Sequence, residues 1–219
     1  KYNTAVGACS LDANTTGANN TAIGFKALMT NTTGNFNTAS GYRSFLYNTT
    51  GSYNSGHGYE TLLYNTTGHR NTASGFYSLR SNTTGSHNTA SGYQALFANT
   101  TGAGNLAVGS GSLCANTTGG QNVAAGPYSL RKNTTGIKNT ASGYYSLGKN
   151  TTGCFNTGSG YSALQNNTTA SYNTAVGVCS LYANTTGARG TAVGFMAAVN
   201  NTCGHHTTAI GNQVLYTNT

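Results

Sequence analysis

Hydrophobic and polar positions repeat every 17 residues along the whole of this chain. The unit reads N-T-A-x-G-(Y/F)-x-(S/A)-L-x-x-N-T-T-G-x-x, and thirteen copies follow one another without insertion or deletion. We number the unit positions 1 to 17 from the asparagine of N-T-A. A period held without slippage means that each unit meets its neighbour in the same way. Equivalent residues are therefore expected to stack in columns along a rod.

The first five positions of the unit predict a short strand. They alternate with a period of two, which places asparagine, alanine and glycine on one face and threonine and a variable residue on the other. The strand ends at a glycine corner, where the backbone needs a positive φ or passes too close to the next rung for a Cβ. The corner glycines are Gly7, Gly24, Gly41, Gly58, Gly75, Gly92, Gly109, Gly126, Gly143, Gly160, Gly177, Gly194 and Gly211.

Two hydrophobic rows follow the corner. The aromatic row contains Phe25, Tyr42, Tyr59, Phe76, Tyr93, Tyr144, Tyr161 and Phe195, and Pro127 interrupts it. The aliphatic row contains Leu28, Leu62, Leu79, Leu96, Leu113, Leu130, Leu147, Leu164 and Leu181. We predict that the leucines form the core, because they are the only large aliphatic row in the unit. The aromatic rings are either part of the core or an exposed ladder of offset stacks.

The tripeptide N-T-T followed by glycine predicts a second turn. Asparagine tolerates the left-handed region and bonds its own backbone, while glycine supplies a positive φ. Stacked asparagine amides are also expected to bond from rung to rung. The asparagines of this row are Asn14, Asn31, Asn48, Asn65, Asn82, Asn99, Asn116, Asn133, Asn150, Asn167 and Asn184, and Asn201 and Asn218 continue it.

These elements together predict an all-β fold. Helical repeats usually need about 33 residues or more for two helices, and 17 residues rich in glycine, asparagine and threonine cannot hold one good helix. We predict one continuous domain over residues 1–219, a β-solenoid (parallel β-helix or β-roll) of thirteen coils. At the ~4.8 Å spacing of neighbouring strands, thirteen rungs give a rod of about 60 Å.

Composition indicates a surface that is wetted by neutral polar groups. Charged residues make up 5 % of the chain, against about 25 % in typical domains. The formal net charge is +8, but only Arg131 and Lys132 are adjacent basic residues. The sequence therefore shows no clustered basic face, and we do not expect nucleic-acid binding. No apolar run approaches the ~18 residues of a membrane span, so we expect no membrane insertion.

Residues suited to catalysis are sparse, and we expect neither an enzyme nor a cofactor. Hydrolases need paired carboxylates or a metal held by acids, whereas Asp12 and Glu60 lie 48 residues apart. A Cys/His cluster is formed by Cys203, His205 and His206. It is either a metal site or a result of sequence variation in the turn, which here reads N-T-C-G. The five cysteines match no zinc spacing.

Each Asn-Thr-Thr is also an N-x-T sequon, the acceptor sequence for N-linked glycans. Eleven sequons stand in register from Asn14 to Asn184, and Asn19, Asn166 and Asn200 begin overlapping ones. Turn chemistry alone also favours these residues. Rungs ~4.8 Å apart would crowd branched glycans, so small or threonine-linked sugars fit better.

Rows of threonine also suggest ice binding, although adjacent threonines of N-T-T point to opposite faces.

Units such as N-T-A-V-G (Asn173 to Gly177) and N-T-A-S-G-Y-Q-A-L-F-A-N-T-T-G (Asn88 to Gly102) resemble the repeats of phage tail-fibre-like proteins. At a greater distance they are similar to the heads of trimeric autotransporter adhesins, which use a shorter repeat in a trimeric parallel β-roll. The resemblance covers the whole chain. It implies a homotrimer and a location on a virion or cell surface.

Two main hypotheses for function follow. The first is an extracellular structural fibre or stalk, glycosylated and assembling end to end from copies of itself. The second is a trimeric tail-fibre or adhesin segment that binds a cell-surface receptor, and ice binding is a lesser alternative. The uniformity of the units favours the structural fibre, because a receptor-binding fibre should carry a divergent tip. Terminal units that keep the pattern offer unpaired edges, so a head-to-tail contact would give a long filament, built from many chains or from one longer polypeptide.

Overall fold

Thirteen parallel strands form one sheet in chain order, and each strand pairs with the strand 17 residues further along. The computed structural model describes residues 2–216, so Asn218 of the asparagine row lies outside the described residues. The strands are β1 (Thr4–Val6), β2 (Thr21–Ile23), β3 (Thr38–Ser40), β4 (Ser55–His57), β5 (Thr72–Ser74), β6 (Thr89–Ser91), β7 (Leu106–Val108), β8 (Val123–Ala125), β9 (Thr140–Ser142), β10 (Thr157–Ser159), β11 (Thr174–Val176), β12 (Thr191–Val193) and β13 (Thr208–Ile210). The predicted β-solenoid is confirmed.

Outside the strands, the coil is held by hydrogen bonds to the coils above and below. The backbone N–H of Gly24 donates to the carbonyl of Val6 at 2.8 Å, and that of Leu28 donates to Ser44 at 3.0 Å. Such bonds pair the polar backbone groups of segments that have no regular secondary structure. The coil therefore closes within a single chain.

The backbone of each coil enters the left-handed region at unit positions 7, 9 and 17. In one stretch of the rod these are Gln94 with φ 53°, Leu96 with φ 52° and His87 with φ 60°. A left-handed residue other than glycine costs roughly 1–2 kcal/mol. The sequence did not reveal these bends, since leucine, tyrosine, lysine and arginine all occupy the positions. Hydrogen bonds between coils hold the backbone there.

The glycine corner needs glycine for both of the expected reasons. The corner glycines have φ between 119° and 140°. A Cβ added to Gly92 would lie 2.7 Å from the carbonyl carbon and oxygen of Gly109 in the next coil. The prediction of a strand that ends at a conformationally demanding glycine is confirmed.

The glycine of N-T-T-G serves a different purpose from the one expected. Gly85 is not among the glycines with positive φ, so the prediction that this residue supplies a left-handed turn is wrong. A Cβ at Gly85 would instead lie 2.4 Å from Oδ1 of Asn82 and 2.5 Å from the carbonyl oxygen of Gly102. Lack of space, and not backbone conformation, selects glycine at this position.

The core combines an aliphatic column with polar columns. The leucine column is buried as predicted, and Leu28, Leu62, Leu79, Leu96, Leu113, Leu130, Leu147 and Leu164 have no exposed surface. Alanines at unit position 3 pack against it, as Ala90 and Ala107 do. Asparagines of two further columns, at unit positions 1 and 12, are also buried. Their hydrogen bonds make this small and half-polar core possible.

Candidate functional site

The asparagines of N-T-T-G form a ladder inside the rod. Nδ2 of Asn65 donates to Oδ1 of Asn48 in the preceding coil at 2.8 Å and to the carbonyl of Gly68 at 3.1 Å. The same pair of bonds recurs from coil to coil up to Asn184. There the ladder breaks, and the buried Oδ1 atoms of Asn184 and Asn201 have no partner within the described residues. The expected rung-to-rung amide ladder is confirmed.

A second set of asparagines, at unit position 1, ties the strand to the opposite turn. Nδ2 of Asn71 donates to the carbonyl of Gly85 at 2.8 Å, and its Oδ1 accepts the backbone N–H of Asn88 at 3.0 Å. Gly85 also accepts a bond from Asn82 at 2.9 Å. Both asparagine columns therefore converge on one carbonyl in each coil, which braces the cross-section of the rod.

Burial of the first ladder bears directly on the predicted glycan acceptors. Ten of the sequon asparagines, namely Asn31, Asn48, Asn65, Asn82, Asn99, Asn116, Asn133, Asn150, Asn167 and Asn184, have no exposed surface, and Asn14 is half-buried. An N-linked glycan would be attached to the same Nδ2 atom that donates both ladder bonds. Attachment is therefore incompatible with the folded coil at these ten positions. The repeated N-x-T pattern therefore reflects the structure of the turn, because asparagine and threonine both have structural roles there.

The two threonines of N-T-T have different environments. The first, such as Thr83, is half-buried, and its hydroxyl donates to the carbonyl of Thr100 at 3.1 Å. The second, such as Thr84, is exposed, and its hydroxyl makes no hydrogen bond within residues 2–216. The exposed column consists of Thr16, Thr33, Thr50, Thr67, Thr84, Thr101, Thr118, Thr135, Thr152, Thr169 and Thr186. These hydroxyls are free to carry a modification.

Aromatic side chains form exposed stacks on the outside of the rod. The rings of Phe25, Tyr42, Tyr59, Phe76 and Tyr93 are stacked, with successive centroids 5.4, 5.0, 4.8 and 5.8 Å apart. The stack stops where serine and proline occupy the column, and it resumes between Tyr144 and Tyr161 at 5.4 Å. Because neighbouring rings cover each other's faces, the stack presents mainly ring edges to solvent.

One carboxylate is buried against this surface. Glu60, which is 2 % exposed, accepts from Nη1 of Arg43 at 2.8 Å and from Nε of Arg80 at 2.9 Å. Burial by itself would lower the pKa of Arg80, but the hydrogen bond and the charge of Glu60 raise it above its ordinary value. Desolvation by neighbouring groups, and then the charge of Glu60, raise the pKa of the exposed Tyr59. This arrangement clamps three coils together and contains no second acid for catalysis.

Side chains at unit position 16 accept a hydrogen bond from the backbone N–H at position 16 of the preceding coil, and in this sense they seal that N–H from other partners. Oγ of Ser52 accepts the N–H of Asn35 at 3.0 Å, and Nδ1 of His69 accepts the N–H of Ser52 at 3.1 Å. Oγ of Ser86 then accepts the N–H of His69 at 3.0 Å. Further along the rod, Ser171 seals Cys154 in the same way at 2.9 Å.

Three consecutive coils between these segments lack such an acceptor, because Ala103, Gly120 and Ile137 occupy unit position 16. The N–H groups of Ser86, Ala103 and Gly120 consequently have no partner in the described part of the chain. An open groove of about 620 Å³ lies in front of them. The residues at position 16 did not mark this groove in the sequence, since only the hydrogen bonds of the other coils give that position its meaning.

The remaining candidate residues do not assemble into a metal site. Within residues 2–216, no three His, Cys, Asp or Glu side chains lie close enough together to hold a metal ion. Nδ1 of His205 accepts the N–H of Ala188 at 3.1 Å, and Nε2 of His206 lies 3.4 Å from Arg189. All five cysteines are free thiols. Burial raises the pKa of the Cys114 thiol, and that of Cys179 as well.

No helix among the described residues is long and apolar enough to cross a membrane. No family model, curated protein or solved structure matches this chain.

Proposed function

We propose that this chain is the rod of an extracellular structural fibre or stalk that assembles end to end. The observation that carries the proposal is the unbroken register of the coils. Each strand pairs with the next in the same alignment, and the buried asparagine ladder follows that alignment from Asn14 to Asn184. Each added coil makes the contacts that the previous one made, so length and stiffness grow with the number of coils.

The surface supports the same proposal. Charged residues make up 5 % of the chain, and exposed threonine hydroxyls recur at unit position 14 of eleven coils. Such a surface is hydrated without depending on ionic strength or pH. We propose that sugars on this rod are attached to exposed threonines such as Thr84.

Ice binding has weaker support from the geometry. The outer face of the sheet carries a threonine column at unit position 2, but Leu106 and Val123 interrupt it. The neighbouring column at position 4 changes between serine, histidine, valine and isoleucine. The regular hydroxyl array that such a function would need is absent from the middle of this face.

Receptor binding, as in a tail fibre or adhesin, is favoured by a different observation. Several columns change together in the seventh and eighth coils, where Leu106 and Val123 replace threonine and Ser110 and Pro127 interrupt the aromatic stack. A purely structural polymer does not require a divergent region on its side.

Electron microscopy of the native, untruncated material tests the structural proposal. We expect long filaments of uniform width with an axial repeat of about 4.8 Å. Compact monomers or single trimers as the only species would contradict end-to-end assembly. Mass measurement of the particles would also show whether one chain or three run side by side.

A further inference from the structure

The fifth to seventh coils expose a row of backbone donors that most other coils cover. Each N–H at unit position 16 points toward the side chain at position 16 of the next coil, as the bond from His69 to Ser86 illustrates. Ala103, Gly120 and Ile137 offer no acceptor, so the N–H groups of Ser86, Ala103 and Gly120 remain open. Successive donors are one rung apart, about 4.8 Å. A ligand lying along the rod could satisfy all of them.

Space for such a ligand is present at the same place. The groove of about 620 Å³ is lined by Ala103, Gly104 and Gly120, among others. Gly104 occupies unit position 17, where large side chains such as those of Tyr53 and Tyr172 project in other coils. Ligand sites typically enclose roughly 300–1,000 Å³. The N–H groups of Ala103 and Gly120 therefore face a space of suitable size, and that of Ser86 is next in sequence to the lining residue His87.

Two cations that flank the groove without lining it favour an anionic ligand. Arg70 and Lys138 stand in the same column as Gly104, two rungs away on either side, which places them about 19 Å apart. The chain has two acidic residues, of which Glu60 is bound by arginines and Asp12 belongs to the first coil. No carboxylate among the described residues competes for these two cations.

We propose that this groove binds an acidic polysaccharide that lies along the rod axis. Oxygen atoms of the saccharide accept the N–H groups of Ser86, Ala103 and Gly120, and its carboxylates face Arg70 and Lys138. This binding role goes beyond the structural role proposed above and does not depend on filament formation.

The walls of the groove favour a saccharide over an acidic peptide. Thr101, Thr118 and Gln121 line it and can each donate and accept hydrogen bonds. Hydroxyl groups of a sugar also play both parts. Ile137 is the one large apolar side chain of the lining, so the groove offers little to the apolar side chains of a peptide.

Calorimetric titration of the intact chain with tetragalacturonate tests the proposal. In the double variant Ala103→Ser/Ile137→Ser, serine hydroxyls should seal Ser86 and Gly120 as Ser86 itself seals His69. In Gly104→Tyr, a ring should fill the groove, since the φ of 71° at Gly104 is close to the 63° that Tyr172 adopts. Both variants should bind at least about tenfold more weakly. The matched control Ala188→Ser seals the N–H of Ser171 away from the groove and should leave affinity unchanged.

Binding should weaken with added salt, because part of it is electrostatic. Equal affinity of all variants, or no binding of tetragalacturonate at millimolar concentration, would overturn the site. Equal binding of neutral cellotetraose would overturn the assignment of an acidic ligand, and equal binding of tetraglutamate would overturn the assignment of a saccharide. Circular dichroism of each variant confirms that the coil is intact, so loss of the rod cannot be mistaken for loss of the groove.

Discussion

Nδ2 of Asn48 lies 2.8 Å from Oδ1 of Asn31, and neither side chain has any exposed surface. The bond joins two coils through the interior of the rod. It shows how a chain with little hydrophobic surface can have a stable core: buried polar groups are tolerated when they are hydrogen-bonded.

Replacing Asn65 by aspartate should destabilise the rod. The carboxylate has no N–H, so Oδ1 of Asn48 would lose its donor inside the core, while the carbonyl of Gly68 would keep only the bond from Asn54. A buried acceptor left unpaired costs about 1–3 kcal/mol and a buried charge costs more, so we expect a loss of at least about 2 kcal/mol in the free energy of unfolding. Urea denaturation measures it. The control Asn19→Asp changes an exposed side chain, and equal midpoints for the two variants would contradict the role of the ladder.

Replacing Gly92 by alanine should be costly, whereas Gly104→Ala should be mild. The Cβ at Gly92 would lie 2.7 Å from backbone atoms of Gly109 at a φ of 137°, which we expect to cost more than about 3 kcal/mol. At Gly104 the nearest atom to the Cβ is 3.6 Å away at a φ of 71°, so the expected cost is about 1 kcal/mol. Thermal unfolding compares them. The reverse order would exclude close approach of the coils as the reason for the glycine corner.

The Glu60→Gln variant tests the clamp between coils. The amide keeps the shape of the side chain but loses the charge that Arg43 and Arg80 contact, and hydrogen bonds to charged groups are worth about 1.5–3 kcal/mol each. Since the arginines are 31 % and 24 % exposed, solvent should reduce the net loss to about 1–2 kcal/mol. Thermal melts measure the effect. Asp12→Asn, the same change at an exposed carboxylate, should leave the melting temperature unchanged.

Alkaline conditions should weaken the rod at Cys114. Burial holds the pKa of this thiol above its ordinary value of 9.0, so the unfolded chain releases the proton first. The resulting stabilisation is present below about pH 9 and is lost as pH rises through the raised pKa. The free energy of unfolding of the Cys114→Ala variant should therefore fall less steeply with rising pH than that of the parent chain. Cys9→Ala, at an exposed thiol, serves as the control, and identical pH slopes for parent and Cys114→Ala would contradict the expectation.

Sugar on the native protein should be linked through threonine oxygen. The intact mass of the protein should exceed the bare 22.4 kDa. Alkaline β-elimination should release the sugar, because it is expected on exposed hydroxyls such as that of Thr84. Treatment with an enzyme that cleaves N-linked glycans should not change the mass of the peptide that contains Asn82, because Nδ2 of this residue is buried in the ladder. A bare mass would remove the claim of glycosylation, and sugar found on Asn82 in the folded rod would contradict the proposed linkage.

The unit sequence by itself determined the coil and its columns. A period of 17 without slippage requires equivalent contacts, and alternation in N-T-A-x-G places Ala90 inside and Ser91 outside. The leucine column, the glycine corner and the asparagine ladder were therefore predictable. Each depends on the residue type and on its repetition, both of which are local properties of the chain.

Only the tertiary structure decided which polar groups are available. Asn82 and Thr84 are both polar residues of one turn, yet the first lies inside the ladder and the second faces solvent. The left-handed bends at residues such as Leu96 left no trace in residue type, because hydrogen bonds from adjacent coils hold them. The open donors beside Ala103 have the same origin: an N–H is satisfied or left open by a side chain 17 residues away, and that partnership exists only once the coils are stacked.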